Sequence, residues 1–198
     1  MDKDKKMKQI IFVVFTVVYI IISLVLIVNR EISYLVESII IYFAYLLYVY
    51  LEKKGRIFVR WFIVVPGLVN AIIHSFMGHY MRLYDTSLYF DKLLHIYGIF
   101  SFSLAAYSII VGSPDISLNS KLWIFIAVSL CGIAIGTLFE IVEFTLDTVL
   151  KTQSQKGLLD TNLDLISDVI GALAAGLFAA NTRTFYYNDN NGCNDNND

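Results

Sequence analysis

The stretch IIFVVFTVVYIIISLVLIV, residues 10–28, decides the fold class, because none of its positions carries a charged side chain. A helix needs about 20 predominantly apolar residues to cross the hydrocarbon core of a bilayer. The lysines before this stretch resemble the start of a signal peptide. However, the stretch is longer than the apolar region of about 7–15 residues in such peptides, and no small-residue cleavage site follows it. We therefore predict a first transmembrane helix that is retained.

Apolar runs of similar length recur along the whole chain. Of its 198 residues, 57% are hydrophobic and 16% are charged, which is not the composition of a soluble domain. Short polar breaks separate the runs, so the sequence predicts an all-α, polytopic transmembrane bundle of about six helices. The predicted helices cover residues 10–28, 32–51, 57–76, 91–111, 121–150 and 162–180.

These helices are expected to form a single transmembrane domain over residues 1–180. Residues 78–90 mix charged and aromatic side chains, and we interpret them as an interfacial loop. The tail over residues 181–198 is rich in Asn and Asp and contains little that could be buried, so it is predicted to be disordered.

The distribution of lysine and arginine predicts the orientation of the bundle. With six helices, ten of the 15 basic residues fall on the side that holds both termini, and the remainder fall on the other side. Because cytoplasmic loops carry the excess of positive charge, both termini are expected in the cytoplasm. The expected location is a bacterial-type plasma (inner) membrane.

Charge and cysteine usage exclude two further classes of function. The net charge is −2 and there is no basic block beyond the N-terminus, so nucleic-acid binding is not expected. Cys131 and Cys193 are far apart and lack the C-x-x-C spacing of a redox or zinc site. The expected partners are membrane lipids, and the sequence does not predict an oligomeric state.

Acidic and histidine side chains recur at helical spacing near the outer ends of the last three predicted helices. Residues three, four or seven apart share one face of a helix. An ionised carboxylate that faced lipid would cost at least about 2–3 kcal/mol, so the stripes are expected to face one another in a shared, outward-facing pocket. The three stripes are Asp91 and His95; Glu140, Glu143 and Asp147; and Asp160, Asp164 and Asp168.

Such a pocket predicts cation chemistry. Several carboxylates within a few ångströms cannot all stay ionised unless a cation neutralises them. Oxygen-rich ligands with one histidine suit Mg²⁺, Mn²⁺ or Ca²⁺, and Zn²⁺ if histidines dominate. The candidate metal ligands are His95, Glu140, Glu143, Asp164 and Asp168, and the candidate catalytic residues are Asp91, His95 and Glu143.

Structural roles compete with these assignments. Acids near the interface are often simply solvated, and an acid at a helix start often caps it, as Asp91 could. His74 is interpreted as a structural partner of Asn70, four residues earlier, and Glu37 as a lone acid that needs a buried partner. Gly132 and Gly136 continue the acidic stripe of the fifth helix inward and predict close helix packing beneath the pocket.

Three motifs resemble one family. They are YFDKLLH at residues 89–95, ExxEF at residues 140–144, and LDTxxDxxxD at residues 159–168 followed by GA at residues 171–172. Together they resemble the YjdF-like family of bacterial inner-membrane proteins, over roughly residues 70–180. A looser similarity exists to VanZ-like membrane proteins, from which this sequence departs at Phe144. Neither resemblance implies an assigned activity for this chain.

Three functions are therefore compatible with the sequence. The first is a metal-dependent enzyme that acts on a lipid-linked or envelope substrate, with no complete catalytic signature to name the reaction. The second is a proton or cation transporter or channel whose mouth the acids form. The third is a structural or partner-binding membrane protein in which the acids only fix helix packing.

Overall fold

A computed structural model describes residues 3–111, 118, 120–152 and 154–182, and every regular element within these residues is helical. The elements in chain order are α1 (Lys3–Val28), α2 (Ile32–Lys53), α3 (Trp61–Ile72), which continues as a π-helix (Ile73–Tyr80), α4 (Leu83–Thr86), α5 (Phe90–Val111), α6 (Lys121–Leu150) and α7 (Leu158–Asn181).

Six helical segments in the described part of the chain are long and apolar enough to cross a membrane. α3 and its π-helical continuation count as one such segment, Trp61–Tyr80. This confirms the predicted fold class, a polytopic helical bundle. The predicted disordered tail lies outside the described residues from position 183 onward.

Several helix bounds differ from the prediction. α1 begins at Lys3 and not at residue 10, because its charged first turns find partners: Lys8 Nζ lies 2.7 Å from Asp4 and 2.5 Å from Glu52. The third span begins at Trp61 and not at residue 57, since the backbone of Arg60 is still extended. Its π-helix and α4 occupy much of the region that was predicted to be an interfacial loop.

The bundle packs as two groups of helices. In one, α5, α6 and α7 approach closely around small side chains such as Ala175 and Ala179, both fully buried. A Cβ on Gly171 of α7 would lie 2.4 Å from the carbonyl oxygen of Ile96 in α5, so only glycine permits this contact. In the other group, α1 and α2 pack through aromatic rings, with the centroids of Phe15 and Tyr45 4.7 Å apart, and α3 lies between the groups and packs against both α1 and α5.

The end of the bundle at which α2, α5 and α7 begin is here called the polar end. Salt bridges join its segments: Arg82 lies 2.7 Å from Glu31, and Lys92 lies 2.6 Å from Asp160. Most of the predicted site residues lie at this end. Its assignment to the outer face of the membrane stays a prediction.

Candidate functional site

The imidazole of His95, on the second turn of α5, lies at the centre of the polar end. Its Nδ1 atom lies 2.9 Å from Asp168 Oδ1, at hydrogen-bond distance. Four more carboxylates from three helices approach the same ring. They are Asp91 at 3.6 Å and Asp164 at 3.8 Å and Glu143 at 3.9 Å from Nε2, and Glu140 at 4.0 Å from Nδ1. These five acids and His95 are called the acidic pocket.

A lysine that the prediction did not single out neutralises part of this pocket. Lys92 Nζ lies 2.7 Å from Asp164, 2.9 Å from Asp91 and 2.6 Å from Asp160. Asp160 is therefore tied to Lys92 at the rim and does not reach His95 within ion-pair distance. Position 92 directly follows Asp91 in the YFDKLLH motif, which was the available signal for its role.

The inner members of the pocket are almost completely buried. The exposed fractions of Asp168, Asp164 and Glu140 are 1%, 2% and 5%. Among the described residues, Glu140 Oε1 and Asp168 Oδ2 are buried and have no hydrogen-bond partner. Buried carboxylate oxygens usually have partners, so the pocket has unused capacity to bind a cation or a donor.

Glycine places Asp168 against α6. A Cβ on Gly136 would lie 2.5 Å from Asp168 Oδ2 and 2.6 Å from Asp168 Cβ, so a side chain there would displace the carboxylate. Gly136, which belongs to the glycine stripe predicted from the sequence, therefore lies where α6 packs against α7 beside the pocket.

Asp147 is in the acidic stripe of α6 but does not join the pocket. Its carboxylate accepts hydrogen bonds from the backbone N–H groups of Ser154 (2.7 Å) and Gln155 (2.8 Å) and from the Thr152 hydroxyl. Asp147 is thus neither part of the pocket nor simply solvated, since its partners are in the loop that leads to α7. Gln155 in turn donates to Glu140 Oε2 at 3.1 Å.

A second cluster lies at the same end, formed by Glu37 of α2 with His74 and His79 of the π-helix. His74 Nε2 lies 3.1 Å from Glu37 Oε1, His79 Nε2 lies 3.0 Å from Glu37 Oε2, and the two Nε2 atoms are 3.1 Å apart. These three residues are called the histidine cluster. The predicted pairing of His74 with Asn70 is wrong, since the Asn70 amide packs against Gly98 of α5.

The π-helix explains why sequence reasoning missed this cluster. His79 follows His74 by five positions, and residues at this spacing in a regular α-helix point to different faces. The wider π-turn closes i→i+5 hydrogen bonds and brings both rings to the same carboxylate. The signal that could have found it was the coincidence of two histidines with the lone acid of the neighbouring helix.

Tyr84, on α4, lies between the two clusters. Its hydroxyl is 2.5 Å from His74 Nδ1, and its ring occupies the space that a Cβ on Gly78 would need, with the nearest ring atom 2.2 Å away. Burial, reinforced by nearby carboxylates including Asp91 and Glu143, raises the pKa of Tyr84 well above its usual value. The phenol therefore stays neutral at physiological pH.

One narrow cavity joins the two clusters. Its volume of about 30 Å³ is enough for about one water molecule. His74, His79 and Tyr84 line one part of it, and Asp91 and Glu143 line another. The cavity can therefore place a small ligand between imidazole and carboxylate groups at the polar end of the bundle.

Comparison with known proteins places the chain among membrane proteins. The family model described as "Predicted membrane protein (DUF2238)" matches residues 9–184. A Thermotoga maritima protein, described as uncharacterized, is 33% identical over 126 residues, which are 60% of this chain. The matched region is 62% of that relative's length. No solved structure matches.

Proposed function

The chain belongs to the predicted membrane protein family DUF2238, and on that premise we propose that it is a metal-dependent enzyme acting on a lipid-linked or envelope substrate. We propose further that this family is the YjdF-like family named by the resemblance, and that the protein lies in the bacterial inner membrane with the polar end outward. The metal is a hard divalent cation held in the acidic pocket.

The balance of charge in the pocket carries the proposal. When Asp160 at the rim is counted with the five acids of the pocket, six carboxylates lie around Lys92 and His95, so four negative charges remain in excess if all six are ionised and the histidine is protonated. Taking uncompensated charges out of water costs several kcal/mol per ion. A divalent cation would neutralise two of these four charges and so lower this cost, and carboxylate oxygens are the ligands that Mg²⁺, Mn²⁺ and Ca²⁺ prefer. The six acids are Asp91, Glu140, Glu143, Asp160, Asp164 and Asp168.

The positions of the donor atoms support two overlapping sets of ligands. His95 with Glu140 and Glu143 is one set, and His95 with Asp91 and Asp164 is the other, each with donor atoms within 4.8 Å of one another. The unpartnered Glu140 Oε1 favours the first set. The metal would polarise an oxygen of the substrate or of a bound water molecule.

Asp168 is better suited to positioning than to ligation. It holds His95 through Nδ1, which directs Nε2 toward Asp91 and Glu143. An imidazole oriented by a buried carboxylate is the usual arrangement of a general base. We assign proton transfer to whichever of His95, Glu143 and Asp91 does not ligate the metal, because a lone pair that coordinates a cation cannot also accept a proton.

The depth of the pocket supports a substrate with a lipid part. Asp91 and Asp160 are in the first turns of α5 and α7, and the ends of membrane-crossing helices are expected at the level of the lipid headgroups. A soluble substrate needs no such placement, whereas a lipid-linked headgroup is presented there by the membrane itself.

Metal analysis of the purified full-length protein tests the proposal. After equilibration with Mg²⁺, Mn²⁺ or Ca²⁺ and removal of free ions, the wild type should retain about one hard cation per chain. A Glu143→Gln, Asp164→Asn double variant should lose it. Glu31→Gln, which changes an acid at the same end that pairs with Arg82, is the matched control and should retain it. A wild type that binds none of these cations contradicts the proposal.

A structural role is the second candidate, because Lys92 already pairs with three acids. Under that alternative the double variant should lower thermal stability in detergent, and any cellular phenotype should follow the amount of protein. A normal protein level with a lost phenotype would favour the enzyme. Transport is less supported, since Gly132 and Ala172 pack closely beneath Asp168.

A further inference from the structure

We propose that Glu37, His74 and His79 form a second metal site, which binds Zn²⁺ or a similar divalent transition metal and is independent of the acidic pocket. None of its three donor residues belongs to the pocket, so the two proposals can fail separately. The site combines two imidazoles with one carboxylate, the ligand set in which zinc keeps a fourth position open for water or substrate.

The separation of the donor atoms matches a tetrahedral metal. Ligands at about 2.0–2.1 Å from zinc lie about 3.3 Å from one another in a tetrahedron. In the histidine cluster, the two Nε2 atoms are 3.1 Å apart, and each lies 3.0 or 3.1 Å from an oxygen of Glu37. Because His74 is measured to Oε1 and His79 to Oε2, a metal at this position would be bound by both oxygens of Glu37, or by one of them after the carboxylate rotates.

Hydrogen bonding alone satisfies this cluster poorly. Two imidazole nitrogens that face each other at 3.1 Å cannot both carry a proton without repulsion between the N–H groups. Glu37 Oε2 is buried and accepts no well-directed hydrogen bond from the described residues, although His79 Nε2 lies 3.0 Å away. A metal ion in the centre would engage both nitrogen lone pairs and this oxygen together.

Tyr84 supplies the outer support that metal-binding histidines commonly have. A ligating histidine usually donates its other ring N–H to a fixed acceptor, which sets the tautomer. The Tyr84 hydroxyl lies 2.5 Å from His74 Nδ1 and can accept that hydrogen bond, so Nε2 is left with its lone pair toward Glu37 and His79. The His79 ring is held by stacking on Tyr34, with centroids 4.1 Å apart and planes 15° apart.

The local backbone fits a dedicated site. The π-helix over Ile73–Tyr80 departs from regular α-helical hydrogen bonding, and such departures are frequent at functional sites. Here the departure has a visible product, which is the meeting of His74 with His79. The cavity of about 30 Å³ is lined by both histidines and by Asp91 and Glu143, so it has room for a water molecule beside the proposed metal site.

Zinc analysis of the full-length protein in detergent tests the inference, after purification through a tag without histidine. The wild type should retain about one zinc ion per chain, and both His79→Gln and Glu37→Gln should lower zinc affinity at least tenfold. His95→Gln is the matched control, because it removes the histidine of the acidic pocket and should leave zinc binding unchanged. The His95→Gln variant separates the two proposals, because it should lower the affinity of the acidic pocket for its cation.

Spectroscopy of the metal-loaded wild type tests the inference even if the variants fail to fold. X-ray absorption of the zinc-loaded protein should show two imidazole ligands, and the cobalt-substituted protein should show the intense visible bands of a four-coordinate ion. A wild type that binds no zinc or cobalt overturns the inference. So does zinc that is bound without imidazole scattering, or that is retained at full affinity in folded His79→Gln and Glu37→Gln.

Discussion

The acidic pocket and the histidine cluster lie at the same end of one bundle, share a cavity, and differ in almost every chemical respect. The pocket surrounds one imidazole with five carboxylates from α5, α6 and α7. The cluster gathers two imidazoles around one carboxylate between α2 and the π-helix. Oxygen-rich and nitrogen-rich sets of ligands select different cations, so the polar end offers two distinct metal-binding chemistries.

The two regions also differ in how their charge is balanced. The histidine cluster approaches neutrality through its own members, since one acid faces two groups that can carry protons. The acidic pocket depends on Lys92 from outside its set, and acids remain in excess even then. Removal of one basic group should therefore lower stability far more at the acidic pocket than at the histidine cluster.

The largest expected effect comes from Lys92→Met. This change removes the partner of three acids and leaves buried charge uncompensated, which should lower the free energy of unfolding by about 3–5 kcal/mol. Thermal or denaturant unfolding in detergent measures it, and saturating Mg²⁺ should restore part of the loss. Lys121→Met, at an exposed lysine 3.4 Å from Asn181 at the other end of the bundle, is the control and should change stability by less than about 1 kcal/mol. Equal effects of both changes would contradict the assigned role of Lys92.

The acidic pocket shows how much of such a site sequence periodicity can predict. Asp91 and His95, and Asp164 and Asp168, are four residues apart on regular α-helices, so their shared faces follow from helical geometry alone. The cost of exposing carboxylates to lipid then requires the stripes to meet. What periodicity could not predict is the pairing of Lys92, because its side chain reaches across to α7 at a position set by tertiary packing.

The second largest effect is expected from Gly136→Ala, which should change the acidic pocket and leave the histidine cluster unchanged. In Gly136→Ala the new Cβ would lie 2.5 Å from Asp168 Oδ2, so the carboxylate must move away from His95. Such overpacking should cost about 1–3 kcal/mol of stability and weaken the pocket cation, with zinc binding at the histidine cluster unchanged. Parallel titrations with Mn²⁺ and Zn²⁺ measure both affinities. Gly67→Ala is the control, since its Cβ would only touch Phe102 at 3.4 Å. Loss of zinc in Gly136→Ala would mean that the two regions are coupled.

The histidine cluster marks where sequence reasoning stops. The sequence of residues 73–80 does not distinguish a π-helix from an α-helix, and the segment packs against α1, α2, α4 and α5, whose positions the sequence alone does not give. Glu37 was correctly expected to need a buried partner, but the partner was not assignable without the wider turn that brings His79 beside His74. The three histidines of the chain thus divide between two clusters, which their spacing along the sequence does not predict.

The smallest expected effect tests the histidine cluster through its outer support. In Gly78→Ala the new Cβ would lie 2.2 Å from the nearest atom of the Tyr84 ring, so we expect the ring to shift and to weaken the hydrogen bond between its hydroxyl and His74 Nδ1. Loss of such a support typically weakens metal binding by 10–100-fold, and zinc affinity should fall by about this factor with the pocket cation retained. Tyr84→Phe removes the same hydrogen bond without the steric clash and should reproduce the change in zinc affinity. If Tyr84→Phe binds zinc as tightly as the wild type, Tyr84 does not fix the tautomer of His74, and the effect of Gly78→Ala must come from displacement of the π-helix itself.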